Sequence, residues 1–218
     1  MDYLPFAAVV DDQILVFLGG SSNSHSATIV CLVDIPSTKP PPFCVHGGIP
    51  RPSLYNFHKT TSIYEELNSA IETPLNDPEN QCPLGWDLLW SDPKRENDVV
   101  LFDPEERAKL TDDGQILDQY DLIKEGFDER NVGLGPNPRR GTACVFNERA
   151  LSDFLNRFNL SQVIRAHEVQ TNGFKVHMDE KLLTVFSSAN YCNSWNDAAC
   201  ILIWNGTMRF IRMVTSPR

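Results

Sequence analysis

The sequence predicts an α/β (α+β) domain in which short strands deliver polar tips to loops, and three observations carry this. Compact stretches run straight into polar, chemically capable residues at four places: Phe43-Cys44-Val45 into His46-Gly47-Gly48, Val163–Ala166 into His167-Glu168, Leu182–Phe186 into Ser187–Tyr191, and Pro138 into Arg139-Arg140-Gly141. The segment Glu148–Phe158 is amphipathic at helical spacing, with Leu151, Phe154, Leu155 and Phe158 on one face. The last part of the chain is a series of apolar runs separated by turn residues, the pattern of an antiparallel meander.

From the start of the chain, Tyr3–Val10 reads as buried structure, Asp11-Asp12 as a turn and Gln13–Leu18 as a strand. A domain rarely opens on a core segment without an ordering neighbour, which suggests that upstream sequence is missing. Gly19–His25 is polar, Ala27–Ile35 is apolar, and Lys39-Pro40-Pro41-Pro42 breaks regular structure. Phe43–Val45 is a short strand. Ser62-Ile63-Tyr64-Glu65 has capping-box spacing for a helix to about Ile71, which Pro74 ends. Asp87–Trp90 reads as a short strand closed by Ser91-Asp92-Pro93. Residues 94–135 read as a long acidic loop with one or two short helices. Within it Asp112-Asp113-Gly114 lacks the alternating acids and late Glu of a calcium loop. Asn147 is placed to cap the helix Glu148–Phe158. Strands follow at Gln162–Ala166, Phe174–Met178, Leu182–Phe186, Ala198–Ile203 and Thr207–Val214, the last two joined by Asn205-Gly206, a type I′ hairpin signal.

With 218 residues, 41% of them hydrophobic, the chain suits one domain or most of a larger one. A net charge of −10 argues against nucleic acid or an anionic membrane as partner, since both require a basic patch. It does not argue against phosphoproteins, because a local arginine fork binds phosphate on an acidic protein. The six cysteines form no C-x-x-C pair and sit mostly in apolar runs, which reads as reduced thiols and a cytoplasmic or nuclear location. No signal peptide is evident, and no apolar run approaches the ~20 residues of a membrane helix.

Taken singly, the polar tips are unspecific. A lone His at a strand end is commonly a turn residue, Gly47-Gly48 reads equally as a tight turn, and Arg139-Arg140 as a solvated pair. Together they have a chemical rationale. Neutral imidazole binds Zn, Fe and Mn, glycines let backbone approach closely, and a guanidinium matches phosphate oxygens bidentately. Two His, one Arg and one Tyr on a common rim suit metal-assisted phosphate-ester hydrolysis.

The segments FCVHGG, DLLWSDP, the Arg-Gly of RRG, VIRAHE and SSANYC occur in the order of motifs of the PPP family of serine/threonine protein phosphatases. The chain resembles that family from about residue 2 to its end, with breaks. The resemblance implies part of a calcineurin-like metallophosphoesterase β-sandwich flanked by helices, and hydrolysis of phosphoserine and phosphothreonine at two divalent ions (Mn, Fe or Zn). By motif it makes His46 and His167 ligands of one metal, Arg140 the phosphate clamp with Arg139 as fallback, Tyr191 a wall of the substrate groove, and Asp92 a support that does not bind metal. Phosphoprotein substrates and phosphatase regulatory subunits are the partners it implies.

The sequence also departs from the family. The upstream motifs GDxHG, GDxxDRG and GNHE, which supply the remaining ligands, a second phosphate-binding Arg and the His general acid, are absent. The expectation is weak metal binding and no useful turnover by this chain alone: a truncated pseudophosphatase acting as a binding module, or a faulty gene model. Residues 16–42 interrupt what the family has as nearly continuous sequence, and are expected to be an insertion or a translated intron. Ala189 stands for a usual Pro and Asn193 for a usual Gly, which puts the loop of Tyr191 at issue.

Overall fold

The computed structural model describes residues 7–9, 15–19, 27–33, 40–54, 78–96, 98, 130–204 and 207–214. The expected helix at 62–71 and most of the acidic loop lie outside them. The chain divides into two compact units, residues 1–46 with 159–218, and residues 47–158.

In the first unit, Phe43–Val45, Val163–Arg165 and Leu182–Val185 are short, apolar and buried on both faces, the composition of parallel strands. Numbering strands in chain order, β1 is Ala7–Val9, β2 Leu15–Gly19, β3 Ala27–Val33 and β4 Phe43–Val45. In the second unit β5 is Asp92–Pro93, β6 Leu134–Pro136 and β7 Cys144–Phe146. Then follow β8 Val163–Arg165, β9 Phe174–His177, β10 Leu182–Val185, β11 Ala198–Trp204 and β12 Thr207–Met213. One sheet has the order β1-β4-β8-β10-β9, and a second has β12-β11-β3-β2. In the first sheet β4, β8 and β10 are parallel and the outer strands antiparallel.

The two sheets bury one apolar layer. Cys44, Ile164, Ala166, Leu183 and Val185 meet Ala199, Ile201 and Ile203, with Phe174, Met208 and Phe210 at its margin. Burial pushes the Cys44 thiol up to about 12, so it stays protonated and inert there.

One expectation is corrected here. The final strands form antiparallel hairpins, β9 with β10 and β11 with β12, but the hairpins belong to different sheets. The chain crosses between layers after Val185 because both hairpins carry an apolar face, and stacking the two faces removes both from water. Residues 16–42, expected to be an insertion, include most of β2 and all of β3, which pair antiparallel with each other, while β3 runs parallel to β11.

The second unit holds a small sheet of order β5-β7-β6. Asp87–Trp90 is not a strand but the last turn of a helix, Pro83–Trp90. Its start signal is Pro83, whose missing N–H costs nothing in a first turn. Leu84 and Leu88, four apart, are both buried, and the Trp86 and Trp90 rings lie 5.5 Å apart. The helix Glu148–Arg157 forms as expected: Asn147 accepts from Ala150 N–H, Glu148 sits in the first turn and Arg157 in the last. It buries Ala150, Leu151, Phe154 and Leu155.

Candidate functional site

Parallel strands place equivalent residues at the same end, so a side chain just beyond β4 meets one just beyond β8. Val45 is the register partner of Arg165, and the pairing continues one step further where Ala166 N–H donates to His46 O at 3.0 Å. His167 follows at once. Glu168 N–H donates back to Ala166 O at 2.8 Å, closing a three-residue turn centred on His167, whose φ is 68°. A γ-turn with positive φ at its centre is the rare, strained form, and for a residue with a Cβ this region costs on the order of 1–3 kcal/mol.

The result is a pair of imidazoles. His167 Nδ1 and His46 Nε2 share a hydrogen bond of 3.0 Å, and their ring centroids lie 4.8 Å apart with planes at 69°. Two nitrogens at this spacing also fit adjacent ligands on one ion with metal–nitrogen bonds of about 2.0–2.1 Å. The donors therefore fit two positions of one divalent ion. Among the described residues no group of three or more His, Cys, Asp or Glu is arranged to hold a metal.

Gly47 and Gly48 let backbone approach closely, and within this unit what they approach is protein. A Cβ on Gly47 would lie 2.4 Å from the carbonyl carbon of Leu89, and one on Gly48 would lie 2.5 Å from the Phe146 ring. They let the chain leaving His46 pass directly against the end of the helix Pro83–Trp90, where Gly47 N–H donates to Leu88 O. Nearby, Arg51 grips the buried Asp87 through Nε to Oδ2 at 2.8 Å and Nη2 to Oδ1 at 3.0 Å.

Within the second unit, Arg139 and Arg140 sit on a turn organised by Asn137. The Asn137 amide donates to Trp90 O at 3.3 Å and to Asp92 Oδ2 at 3.0 Å, while its side-chain oxygen accepts from Arg139 N–H. Its carbonyl takes Gly141 N–H at 2.9 Å, and Gly141 closes the turn at φ 69°. Asp92, fully buried, accepts from Arg140 Nε at 3.0 Å. The Arg140 guanidinium carbon lies 6.0 Å from the centre of the Trp90 ring. Arg139 bonds to Asp98 and to Pro93 O, and its Nη2 also lies 3.7 Å from Asp92 Oδ2. Trp86, beside Trp90, donates through Nε1 to Thr142, whose hydroxyl donates to Glu79.

Tyr191 opens a short 3₁₀ turn, Tyr191–Asn193, and its ring meets Phe186 edge-on at 5.2 Å. The buried Asn196 ties this loop: its side-chain oxygen accepts from Tyr191 N–H, and its amide donates to Ser188 O and Asp197 O. Asn193 has φ 63°, the left-handed conformation that favours glycine. Asn tolerates that region better than most residues, so Asn193 meets the same backbone demand.

The structure thus brings His46 to His167, joins Arg140 to Asp92, and sets Tyr191 in an anchored loop. Sequence reading missed Asn137, whose partners Trp90 and Asp92 are remote in sequence, and Asn196, whose partners lie within its own loop, and gave no role to Arg165 and Glu168, which flank His167.

Residues 1–171 match the calcineurin-like phosphoesterase family. The chain is 31% identical over 175 residues to serine/threonine-protein phosphatase 2B catalytic subunit A2 of Saccharomyces cerevisiae, covering 78% of this chain and 26% of that protein. It is 26% identical over 216 residues to human serine/threonine-protein phosphatase with EF-hands 1, covering 94% and 27% respectively. It spans about a quarter of the length of these relatives. A solved protein serine/threonine phosphatase from Saccharomyces cerevisiae, with similarity to human phosphatase PP5, matches at a TM-score of 0.49 and 20% identity, over 81% of this chain and 45% of that one.

Proposed function

Because this chain belongs to the calcineurin-like phosphoesterase family, we propose that it is part of a protein serine/threonine phosphatase, contributing two imidazole ligands and a phosphate-binding arginine to hydrolysis of phosphoserine and phosphothreonine. The observation that carries this reading is the 3.0 Å approach of His167 Nδ1 to His46 Nε2.

A divalent ion bound there would supply Lewis-acid charge for phosphate oxygens and a lowered pKa for water. His46 and His167 would hold it by Nε2 and Nδ1, the ring that donates in their mutual bond moving its proton to its other ring nitrogen. Arg140 would bind phosphate oxygens, its guanidinium oriented by Asp92 and steadied by the Trp90 face. Tyr191 would line the substrate groove. Asp92 engages both Asn137 and Arg140, which supports a positioning role for it rather than a ligand role. Phosphoproteins are the proposed substrates, regulatory subunits the proposed partners, Mn, Fe or Zn the proposed ions, and the cytoplasm or nucleus the proposed location.

Two imidazoles without a carboxylate hold a dinuclear centre poorly, so the isolated chain is expected to bind metal weakly and turn over little. The test is metal content by mass spectrometry with phosphopeptide hydrolysis in added Mn²⁺. The expected result is substoichiometric Mn²⁺, lost in His46→Ala and His167→Ala, with no turnover. Mn²⁺ uptake indifferent to both substitutions would remove the ligand roles. Stoichiometric metal with turnover abolished by His167→Ala would show that the chain completes its own site.

A second reading is a binding module without catalysis. It is favoured by the contacts of Arg140 with Asp92 and the Trp90 ring, which would orient a phosphate-binding group without requiring a metal. Phosphopeptide binding that survives chelation and is lost in Arg140→Ala would favour it.

A further inference from the structure

We propose that Arg165 and Glu168 are positioning residues for His167, their buried ion pair clamping the strained turn that aims His167 Nδ1 at His46 Nε2. The proposal rests on reading the two His as metal ligands, and extends it to the residues that set the site's affinity.

Arg165 is fully buried, and Glu168 is only 8% exposed. A guanidinium is among the most costly groups to remove from water, and well-packed apolar side chains commonly replace a buried ion pair without loss of stability. Cross-strand, Arg165 lies beside Val45 and Thr184, so an aliphatic side chain would suit the sheet. Packing alone does not account for the charge.

The place of the pair does. Arg165 Nη1 donates to Glu168 Oε2 at 2.7 Å, and these two residues bracket Ala166 and His167. The turn is closed twice, by Glu168 N–H to Ala166 O and by this side-chain bridge outside it. Its entrance is fixed to the other imidazole's residue through Ala166 N–H to His46 O. Elsewhere positive φ falls on Asn159, Asn190 and Asn193, which tolerate it, and also on Ala143, Met178, Asp179, Glu180 and Cys192. Histidine is itself enriched at positive φ, but a γ-turn centred there is the rare, strained form, and holding His167 in it needs added constraint. Releasing the bridge lets φ return to negative values and swings the imidazole away from His46.

The experiment uses the full 218-residue chain. Co²⁺ binding is followed by visible absorption, and the tautomers and mutual hydrogen bond of His46 and His167 by ¹⁵N long-range NMR on metal-free protein. The double variant Arg165→Met/Glu168→Leu is expected to stay folded, to bind Co²⁺ about 10–100-fold more weakly, the range for lost outer-shell support, and to lose the His46–His167 hydrogen-bond signal. Arg165→Lys, which keeps the cation, is expected to retain that signal and most of the Co²⁺ affinity. A folded double variant with the signal and affinity of the parent overturns the proposal. If the parent takes up no Co²⁺, the metal reading fails, and the NMR comparison alone decides the positioning role: loss of the signal supports it and retention refutes it. If the double variant does not fold, Glu168→Gln is read in the same two ways.

Discussion

In the turn around His167 the side chain is aimed by main chain: a strand register, a backbone hydrogen bond to His46 O, and a positive φ. In the turn around Arg140 the aim comes from side chains: Asn137 knits the loop, Asp92 takes Arg140 Nε, and Trp90 lies against the guanidinium. The difference teaches where each geometry is vulnerable. A backbone-held residue is sensitive to what relaxes φ, and exchanging the His167 side chain removes its bond to His46. A side-chain-held residue fails when one hub is deleted.

The largest effect is expected at the hub of the second turn. Asp92→Ala leaves Arg140 and Asn137 without their shared acceptor. It is expected to cost about 3 kcal/mol or more in urea denaturation, because breaking a buried charge pair strands the partner. A cost below about 1 kcal/mol would mean that water or another acceptor replaces Asp92 and that side chains do not hold this turn. Asn137→Ala should cost about 2 kcal/mol by the same measurement, as several buried hydrogen bonds go at once.

The first turn has a pH signature nearby. His177 Nε2 bonds to Thr184 Oγ1 at 3.1 Å, and burial, with Lys175 and Arg165, lowers the imidazole pKa to about 4 against the opposing pull of Glu168. In the unfolded chain this ring binds a proton near pH 6.5. Between those values the unfolded state binds more protons. The stability contributed by keeping the ring neutral is therefore complete above about pH 6.5 and lost as pH falls toward 4. The expected loss is on the order of 1–2 kcal/mol, after discounting for partial exposure. The His177→Gln chain should show a flatter stability profile across that window, and an unchanged slope would show that the ring is not held neutral.

The smallest effect isolates the strain itself. His167→Gly should be more stable than His167→Ala by about 1 kcal/mol, since both lose the ring but only glycine accepts the positive φ freely. Equal stabilities would show that the turn is not strained. Neither variant is expected to bind Co²⁺.

Much of this architecture was readable because apolar runs bounded by turn residues report strands directly. Phe43–Val45, Val163–Arg165 and the helix behind Asn147 stand where their patterns put them. Asp87–Trp90 was misread because four apolar-rich residues, two of them Leu and one Trp, fit a strand as well as a helix turn; the decisive signal, Pro83, lay four residues upstream. The final hairpins were legible one by one, but nothing local says which sheet a hairpin joins. At the site, motifs located His46, His167, Arg140 and Tyr191. The purpose of Gly47 was not readable, because the atom that excludes a Cβ there belongs to Leu89, far along the chain.

By itself the sequence determined the alternation of short buried strands with polar tips, the capped helix, and the order of motifs that ties the chain to its family. These depend on neighbours within a turn or a strand, where periodicity and capping act. Tertiary structure alone decided that His46 and His167 share a hydrogen bond, that Asn137 and Asp92 hold Arg140, that Asn196 holds the loop of Tyr191, and that an ion pair brackets a strained His167. The first two depend on parallel register and on partners tens of residues apart, chosen by the burial of whole sheet faces; the last two bridge only a few residues, and which polar side chains close a turn is settled when the turn itself is buried.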